Sequence, residues 1–214
     1  MLWLSKHYEI IPLSELCNNY LLKGKNVPKD AVALTFDDGY FDNYERAFPL
    51  LRDLGLPATI FCTTKFLDGY WPEHVWGGIE KKMLNGPAIS KMCKFGITFE
   101  SHGHSHNPLT KLNSEEIDEE LSASKNTLYQ LTGREPLYLS YPFGSYDATV
   151  VERVKQCGFS AAFTVWSEDR DRFAINRLPI HRRDGTWRLW LKLKCYDRLK
   201  PFASLFERFR WQRG

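Results

Sequence analysis

Two short segments of the chain contain the side chains best suited to chemistry. Asp37 and Asp38 stand together at the end of an apolar run, directly before Gly39. Three of the six histidines of the 214-residue chain fall within residues 102–106. Carboxylates and imidazoles bind divalent metals, and a catalytic metal site keeps positions open for water and substrate. Together the segments predict a metal-dependent hydrolytic site with one carboxylate to spare.

The two aspartates could divide the work between them. Adjacent residues on a strand point to opposite faces, but a turn at Gly39 can bring both carboxylates toward one centre. One could then bind the metal while the other accepts a proton, and a divalent cation would remove the repulsion between them. A polar Asp-Asp-Gly turn with a helix cap is the alternative interpretation.

The histidines could converge in two ways. His102 and His106 could face one point from a helical turn or a bent loop, and His104 could join them from an extended strand. A single histidine is more often a surface or core residue, but three so close together are hard to explain by packing. Aspartate with two histidines favours Zn²⁺, with Co²⁺, Ni²⁺, Fe²⁺ or Mn²⁺ as other candidates.

The elements that must position these residues follow an alternating pattern. Short apolar runs predict buried strands over residues 31–36, 57–62, 97–101, 137–141 and 161–165. Helical spacing predicts helices over residues 41–54, 114–133 and 148–157. Strands alternating with helices predict an α/β fold with a parallel sheet. Both clusters follow strand C-terminal ends, where parallel α/β folds build their sites.

Composition predicts one ordinary globular domain. The chain is 43% hydrophobic and 26% charged, and its net charge of +3 does not indicate a nucleic-acid partner. Five widely spaced cysteines without a CxxC pair argue against a disulfide framework and favour a reducing compartment. With no apolar stretch long enough to span a membrane and no signal-peptide pattern, a cytoplasmic or membrane-peripheral location is predicted.

Several motifs of the chain resemble those of a known family. Residues 35–39 are similar to the first motif of the polysaccharide deacetylases (the chitooligosaccharide deacetylase-like or NodB homology domain, carbohydrate esterase family 4), and residues 101–110 to the second. Residues 139–147 and 157–164 resemble later blocks. The likeness runs in the family's order over roughly residues 30–182, so it is more specific than any one motif. It implies a distorted (β/α) barrel of about seven strands.

The resemblance implies a metal-dependent hydrolase that removes N-acetyl groups from amino sugars of a polysaccharide or lipid-linked glycan. It assigns the metal to Asp38, His102 and His106, and makes Asp37 the general base for attack by a metal-activated water. His104 fills a variable position and is interpreted as a neighbour of the ligands or part of the pocket wall.

The resemblance also assigns groups to the later steps. The oxyanion that forms when water attacks the acetyl carbonyl would be held by the metal and by a backbone N–H near Phe143. Tyr141 would contact the substrate. The leaving amine needs a proton, and His181 in a Leu-x-x-His sequence is the candidate acid, a structural histidine being the alternative.

Two features depart from the family pattern. The third motif normally reads Arg-x-Pro-Tyr, whereas Ser140-Tyr141-Pro142-Phe143 has no arginine, a form that resembles a Tyr-Pro-(Tyr/Phe)-Gly branch. Arg177 is a candidate replacement, with a surface arginine as the alternative. The fourth motif, an Asp preceding a Trp, is not found.

The remaining predictions concern the flanks and the aromatic residues. We expect a lead-in over residues 1–30, the catalytic domain over 31–185, and a basic, aromatic helix over 186–214. Residues 187–213 either pack on the sheet or contact a membrane surface or polyanion. Sugar-stacking side chains are expected in the irregular region and the third motif, with core packing as the alternative: Trp71, Trp76 and Tyr146.

Three other functions remain to be distinguished. A carbohydrate-binding pseudoenzyme would keep the fold and the metal without the acid or the arginine. An O-acetyl esterase of the xylan type would use the same site. A phosphatase of the aspartyl-phosphate type needs carboxylates at positions i and i+2, but residue i+2 from Asp37 is Gly39, so this class ranks low.

Overall fold

Most strands of the protein belong to one parallel sheet. The computed structural model describes residues 1–22, 28, 30–72, 80–167, 171–181 and 183–194. Its strands are β1 (Glu9–Ile10), β2 (Ala31–Val32), β3 (Thr35–Phe36), β4 (Ala58–Cys62), β5 (Tyr70–Trp71), β6 (Lys81–Lys82), β7 (Ile97–Ser101), β8 (Tyr138–Ser140), β9 (Ala161–Thr164) and β10 (Ile175–Asn176).

Six of these strands form the main sheet in the order β10-β9-β8-β7-β4-β3, and every pair in it is parallel. The sheet curls into a half barrel, which confirms the predicted distorted α/β barrel. The main sheet has six strands rather than about seven. The predicted strand over 31–36 is split in two. Its first half, β2, pairs with β1, and its second half, β3, pairs with β4.

The helices lie between the strands, as the sequence pattern predicts. They are α1 (Leu2–His7), α2 (Leu13–Glu15), α3 (Phe48–Asp53), α4 (Gly86–Cys93), α5 (Ser114–Thr132) and α6 (Ala148–Gln156). Two π-helical segments adjoin them, Leu16–Leu22 and Asn43–Ala47, and residues 186–194 are helical. No helix in the described part of the chain has the length and apolarity needed to cross a bilayer.

Strand β4 shows how the two faces of the sheet are covered. All five of its residues are buried, as expected for a strand of a sheet covered on both faces. Ile60 packs among residues of α3 and α4, whereas Phe61, on the opposite face, packs with Leu13 and Cys17 of the N-terminal segment. The N-terminal segment therefore forms part of the sheet's core.

Helix α5 begins and ends where the sequence predicts. Its N-terminus carries a reciprocal capping box in which the Asn113 and Glu116 side chains each accept a backbone N–H of the other residue. Its C-terminus ends at Gly133, whose φ of 69° is the left-handed conformation glycine adopts readily. Asn113 is the N-cap, directly before the predicted first residue of the helix. This helix runs beside β7, from which the histidine segment emerges.

Candidate functional site

The candidate site lies at the C-terminal edge of the main sheet. Asp37 and Asp38 follow β3, His102 follows β7, and Arg177 follows β10. Because the strands are parallel, their C-terminal ends meet at one edge. The fold thus brings together residues that lie as many as 140 positions apart in the sequence.

A tight turn presents the two aspartates. The N–H of Gly39 donates to the carbonyl of Asp37 at 2.9 Å, which makes Asp38 the central residue of a γ-turn. Asp38 has φ 72°, a strained conformation for a non-glycine residue. A Cβ on Gly39 would lie 3.0 Å from Sγ of Cys62 on β4, so glycine also fits the close approach of the two segments. The turn allows neighbouring carboxylates to serve one site.

Asp38, His102 and His106 form a group of three side chains that could hold one metal ion, called the three-ligand group below. Asp38 Oδ1 lies 3.4 Å from Nε2 of His102 and 3.4 Å from Nε2 of His106, and the three ligand atoms lie within 4.8 Å of one another. Both histidines are buried. One carboxylate and two imidazoles leave positions for water and substrate, so this donor set fits a catalytic divalent metal.

A backbone hydrogen bond to Ser140 fixes the orientation of the His102 ring. Its Nδ1 lies 2.7 Å from the carbonyl of Ser140, and because a carbonyl can only accept, Nδ1 must carry the proton. Nε2 is then the ring nitrogen that points to Asp38 and that offers a lone pair to a metal once it is deprotonated. Metal-binding histidines commonly have such a backbone partner, which fixes both tautomer and ring orientation. The residues present therefore fit the implied metal.

His106 is held by aromatic packing. Its ring meets the Trp71 ring edge-on at 5.0 Å and the Phe143 ring at 4.6 Å. Burial, followed by the nearby His102, lowers the pKa of His106 to about 4, so it is neutral at physiological pH, the form that binds metals. His106 and Phe143 have φ values of 63° and 59°. Three of the four non-glycine residues with positive φ in the described chain thus lie at this site, where strain is often retained.

Asp37 is paired with Arg177 rather than with the ligands. Nη1 and Nη2 of Arg177 donate to Oδ1 and Oδ2 of Asp37 at 2.7 and 2.6 Å, and Nη2 also donates to Oγ of Ser140 at 2.7 Å. This bidentate geometry orients a carboxylate strongly. The Arg177 side chain is 16% exposed, so the alternative of a free surface arginine is wrong.

The charges around Asp37 favour its ionised form. Burial opposes ionisation, but His102 and the Arg177 guanidinium outweigh it and hold the pKa of Asp37 below its ordinary value. The side chain is still 34% exposed, so it can be reached from solvent. Asp37 is therefore an ionised, oriented and accessible carboxylate beside the three-ligand group.

Two residues that the sequence predicts to contact the substrate, Tyr141 and Trp71, are buried in the core instead. Tyr141 is 1% exposed, and its hydroxyl donates to the carbonyl of Phe173 at 2.9 Å. Trp71 is also 1% exposed, with its ring between Phe66 and His106. Neither side chain can stack on a sugar in this conformation, because neighbouring side chains cover both rings.

The other predicted residues have different positions. Phe143 is half-buried against His106, and Tyr146 stacks on Tyr141. His181 is exposed, and its backbone N–H donates to Asp184. Among the described residues, no hydrogen bond or ion pair joins the His181 ring to the Asp37–Asp38 pair or to the histidine ligands. Trp76 lies outside the described residues.

Sequence reasoning missed residues that support the site. Ser140 binds His102 through its carbonyl and Arg177 through its hydroxyl. Glu120 of α5 binds the loop between the two histidine ligands. Ser140 directly precedes the Tyr-Pro-Phe-Gly motif, so its position was a usable signal. Glu120 is one of several acidic residues on its helix, and only the tertiary structure distinguishes it.

Comparisons with known proteins agree with this geometry. Residues 24–162 match the family model described as polysaccharide deacetylase. The Bacillus subtilis protein YxkH is 28% identical over 164 residues, which cover 75% of this chain and 55% of that protein. The poly-beta-1,6-N-acetyl-D-glucosamine N-deacetylase of Staphylococcus epidermidis is 28% identical over 192 residues, covering 83% and 64%. The chain thus spans less than two thirds of the length of these curated relatives.

A solved structure shows the same fold. The deacetylase PplD of Streptococcus pyogenes, in complex with acetate, superposes with a TM-score of 0.76 at 21% identity, covering 89% of this chain and 81% of that one. At this identity the likeness establishes the fold alone. The family model, in contrast, covers more than half of the chain, including the Asp-Asp pair and the histidine segment. The chain belongs to the polysaccharide deacetylase family.

Proposed function

We propose that this protein is a metal-dependent hydrolase that removes N-acetyl groups from amino sugars of a polysaccharide or lipid-linked glycan. One observation carries the proposal: the Asp38, His102 and His106 ligand atoms lie within 4.8 Å of one another, next to an aspartate that an arginine holds by two hydrogen bonds. A metal site with an adjacent oriented base is what hydrolysis by an activated water needs.

The residues of the chain divide the reaction among them. Asp38, His102 and His106 would hold the divalent cation, which when bound would supply a water of lowered pKa, about 7, and a Lewis acid for the acyl oxygen. Asp37 takes the proton of the attacking water. Arg177 keeps Asp37 ionised and limits its rotation, so that a carboxylate lone pair stays directed at the water. Zn²⁺ is the preferred cation for this donor set.

Two further roles complete the proposed mechanism. The backbone N–H near Phe143 is the proposed partner of the oxyanion, and the left-handed turn at Phe143 is consistent with a backbone shaped for such contact. His181 is the proposed acid for the leaving amine. Its exposed position requires that the substrate, or a movement of the segment after β10, brings it to the nitrogen.

The substrate class rests on chemistry and on the relatives. The Staphylococcus epidermidis relative is named for poly-beta-1,6-N-acetyl-D-glucosamine, and we extend the N-acetylated amino sugar to this chain. The arginine-free motif over 140–143 supports the further proposal that the protein belongs to the Tyr-Pro-(Tyr/Phe)-Gly branch. The pairing of Arg177 with Asp37 supports this assignment, because an arginine from another strand contacts the base.

An acetate-release assay tests the function. We expect acetate from N-acetylglucosamine oligomers, with release abolished by a chelator and restored by Zn²⁺ or Co²⁺. Peptidoglycan fragments, lipid-linked sugars and O-acetylated xylan should be compared in parallel. Release from xylan alone would indicate the O-acetyl esterase, and sugar binding without release would identify the pseudoenzyme.

The role of Arg177 gives a separate prediction. Lysine keeps the charge but lacks the planar fork, so Arg177→Lys leaves Asp37 with one partner at most. Misplacing a catalytic group by about 1 Å can cost roughly 100-fold in rate, so we expect kcat to fall about 10- to 100-fold with little change in KM.

The matched control for Arg177 is Arg52, which forms an exposed ion pair with Asp53 at 2.7 Å. Arg52→Lys should leave kcat unchanged, because exposed ion pairs contribute little and this one lies on α3. Steady-state kinetics of both variants test whether Arg177 orients Asp37. Equal kcat values for Arg177→Lys and the unmodified protein would remove the orienting role.

The membrane contact predicted through residues 187–213 is also a proposal. Trp187 is 68% exposed and stacks on Trp190 at 4.9 Å, among exposed cationic residues such as Arg188 and Lys194. Aromatic and cationic side chains together favour an anionic bilayer surface. Residues 195–213 lie outside the described residues. Co-sedimentation with anionic but not neutral vesicles is the expected result, and equal recovery with both would reject charge-dependent contact.

A further inference from the structure

The loop between the two histidine ligands needs support, because it must turn within three residues. Gly103 and His106 both have left-handed backbone conformations, with φ of 75° and 63°. Such backbone at a non-glycine residue is costly and persists only when the surroundings hold it. The loop between His102 and His106 therefore decides whether the two imidazoles converge.

Helix α5 supplies that support through one carboxylate. Oε2 of Glu120 accepts the backbone N–H groups of His104 and Ser105, each at 2.9 Å, and Oε1 accepts the hydroxyl of Ser105. Three donors of two adjacent loop residues thus converge on a single side chain. Hydrogen bonds to a charged acceptor are roughly twice as strong as neutral ones.

The same helix also holds the start of the loop. One turn after Glu120, the hydroxyl of Ser124 lies 2.7 Å from that of Ser101, and Ser101 Oγ accepts the N–H of Gly103 at 3.2 Å. Ser101 and Ser124 are both fully buried. On the far side of the loop, the hydroxyl of Thr64 contacts Nδ1 of His104 at 2.9 Å. The loop is therefore clamped between α5 and the segment after β4.

We propose that Glu120 is a positioning residue for the metal site: it holds the 103–105 loop so that His102 and His106 converge with Asp38. It acts through the loop, not on the substrate. The proposal rests on the proposed function only in assuming that these three residues bind a metal. Groups that orient metal ligands typically contribute 10- to 100-fold in metal affinity.

Two conservative variants distinguish the effect of the length of the Glu120 side chain from the effect of its charge. Glu120→Gln loses the charge, but its amide oxygen can accept both backbone N–H groups, and its NH₂ can donate to the Ser105 hydroxyl. Glu120→Asp keeps the charge but is shorter by one methylene and withdraws from the loop. We expect aspartate to raise the dissociation constant for the metal about 10- to 100-fold, and glutamine, which keeps the hydrogen bonds but loses their charge assistance, to raise it much less.

The measurements are metal titration of the full chain with Zn²⁺ and Co²⁺, and amide hydrogen exchange of His104 and Ser105 in the metal-free protein. Protection should be lost in Glu120→Asp and kept in Glu120→Gln. The matched controls are Glu119→Gln and Glu119→Asp on the adjacent, exposed residue, which should change neither readout.

Unchanged metal affinity in a folded Glu120→Asp protein would overturn the proposal. Weaker metal binding in Glu120→Gln than in Glu120→Asp would overturn it equally, because the charge rather than the hydrogen-bond geometry would then be decisive. Neither measurement uses a substrate. A protein that binds Zn²⁺ through this loop but releases no acetate would therefore contradict the proposed function and leave the role of Glu120 standing.

Discussion

Replacing Asp37 by asparagine is expected to lower kcat about 10²- to 10⁴-fold while leaving the metal content unchanged, since general-base catalysis contributes on that order. Asparagine has nearly the same shape, and its carbonyl oxygen can still accept one hydrogen bond from Arg177. It cannot take a proton from water at neutral pH. Acetate release measured together with metal content per chain tests the prediction.

Asp42 provides the control for Asp37→Asn. It is an exposed aspartate at the start of the Asn43–Ala47 segment, and its side chain makes no capping hydrogen bond. Asp42→Asn should retain full turnover. If Asp37→Asn also retained it with metal bound, the base would have to be another group, and the ion pair with Arg177 would serve only to stabilise the site.

The His102→Ala/His106→Ala double variant is expected to lose stoichiometric metal and, with it, activity to the level of the chelated protein. Only Asp38 of the three-ligand group remains, and one carboxylate alone does not hold a divalent cation firmly. Metal that binds only the folded state stabilises it by about 2.7 kcal/mol at a hundredfold excess over Kd. Added Zn²⁺ should therefore raise the Tm of the unmodified protein but not that of the variant.

The readouts for the double variant are metal analysis after gel filtration and thermal unfolding with and without Zn²⁺. His7→Ala is the control, because His7 is exposed on α1 and stacks on Trp3 at 4.5 Å. It should keep one metal per chain. Stoichiometric metal in the double variant would show that the ligands lie elsewhere and would remove the assignment of all three residues.

Much of the fold was predictable because its patterns are local. Strand β7 occupies the predicted residues, and α5 extends from Ser114 to just before Gly133. Apolar runs and glycine stops report such elements directly. The split between β2 and β3 was not predictable, because continuous apolar residues cannot show that the two halves pair with different strands. Strand β10 has only two residues, too few for a periodic signal.

The predictions for aromatic residues show that the sequence does not report which side chains are buried. Trp71 was expected to stack on sugar because its segment lacks a regular pattern, yet it is buried against His106. Tyr141 follows β8 within a motif, yet its hydroxyl is turned to Phe173. Residue type and loop position do not report burial, because burial depends on which elements pack over the side chain.

The sequence by itself determined the donor set. An Asp-Asp-Gly turn after one strand and three histidines after another supply the candidate donors from neighbouring residues alone. The family resemblance then selects Asp38, His102 and His106 as the expected ligands and Asp37 as the expected base. Only the tertiary structure decided which residues orient these side chains. Arg177 meets Asp37 across 140 positions because β10 and β3 belong to one curled sheet, and Glu120 meets the histidine loop because α5 packs beside β7. Ligand identity is a local property of the chain, whereas orientation depends on contacts between elements that no local pattern records.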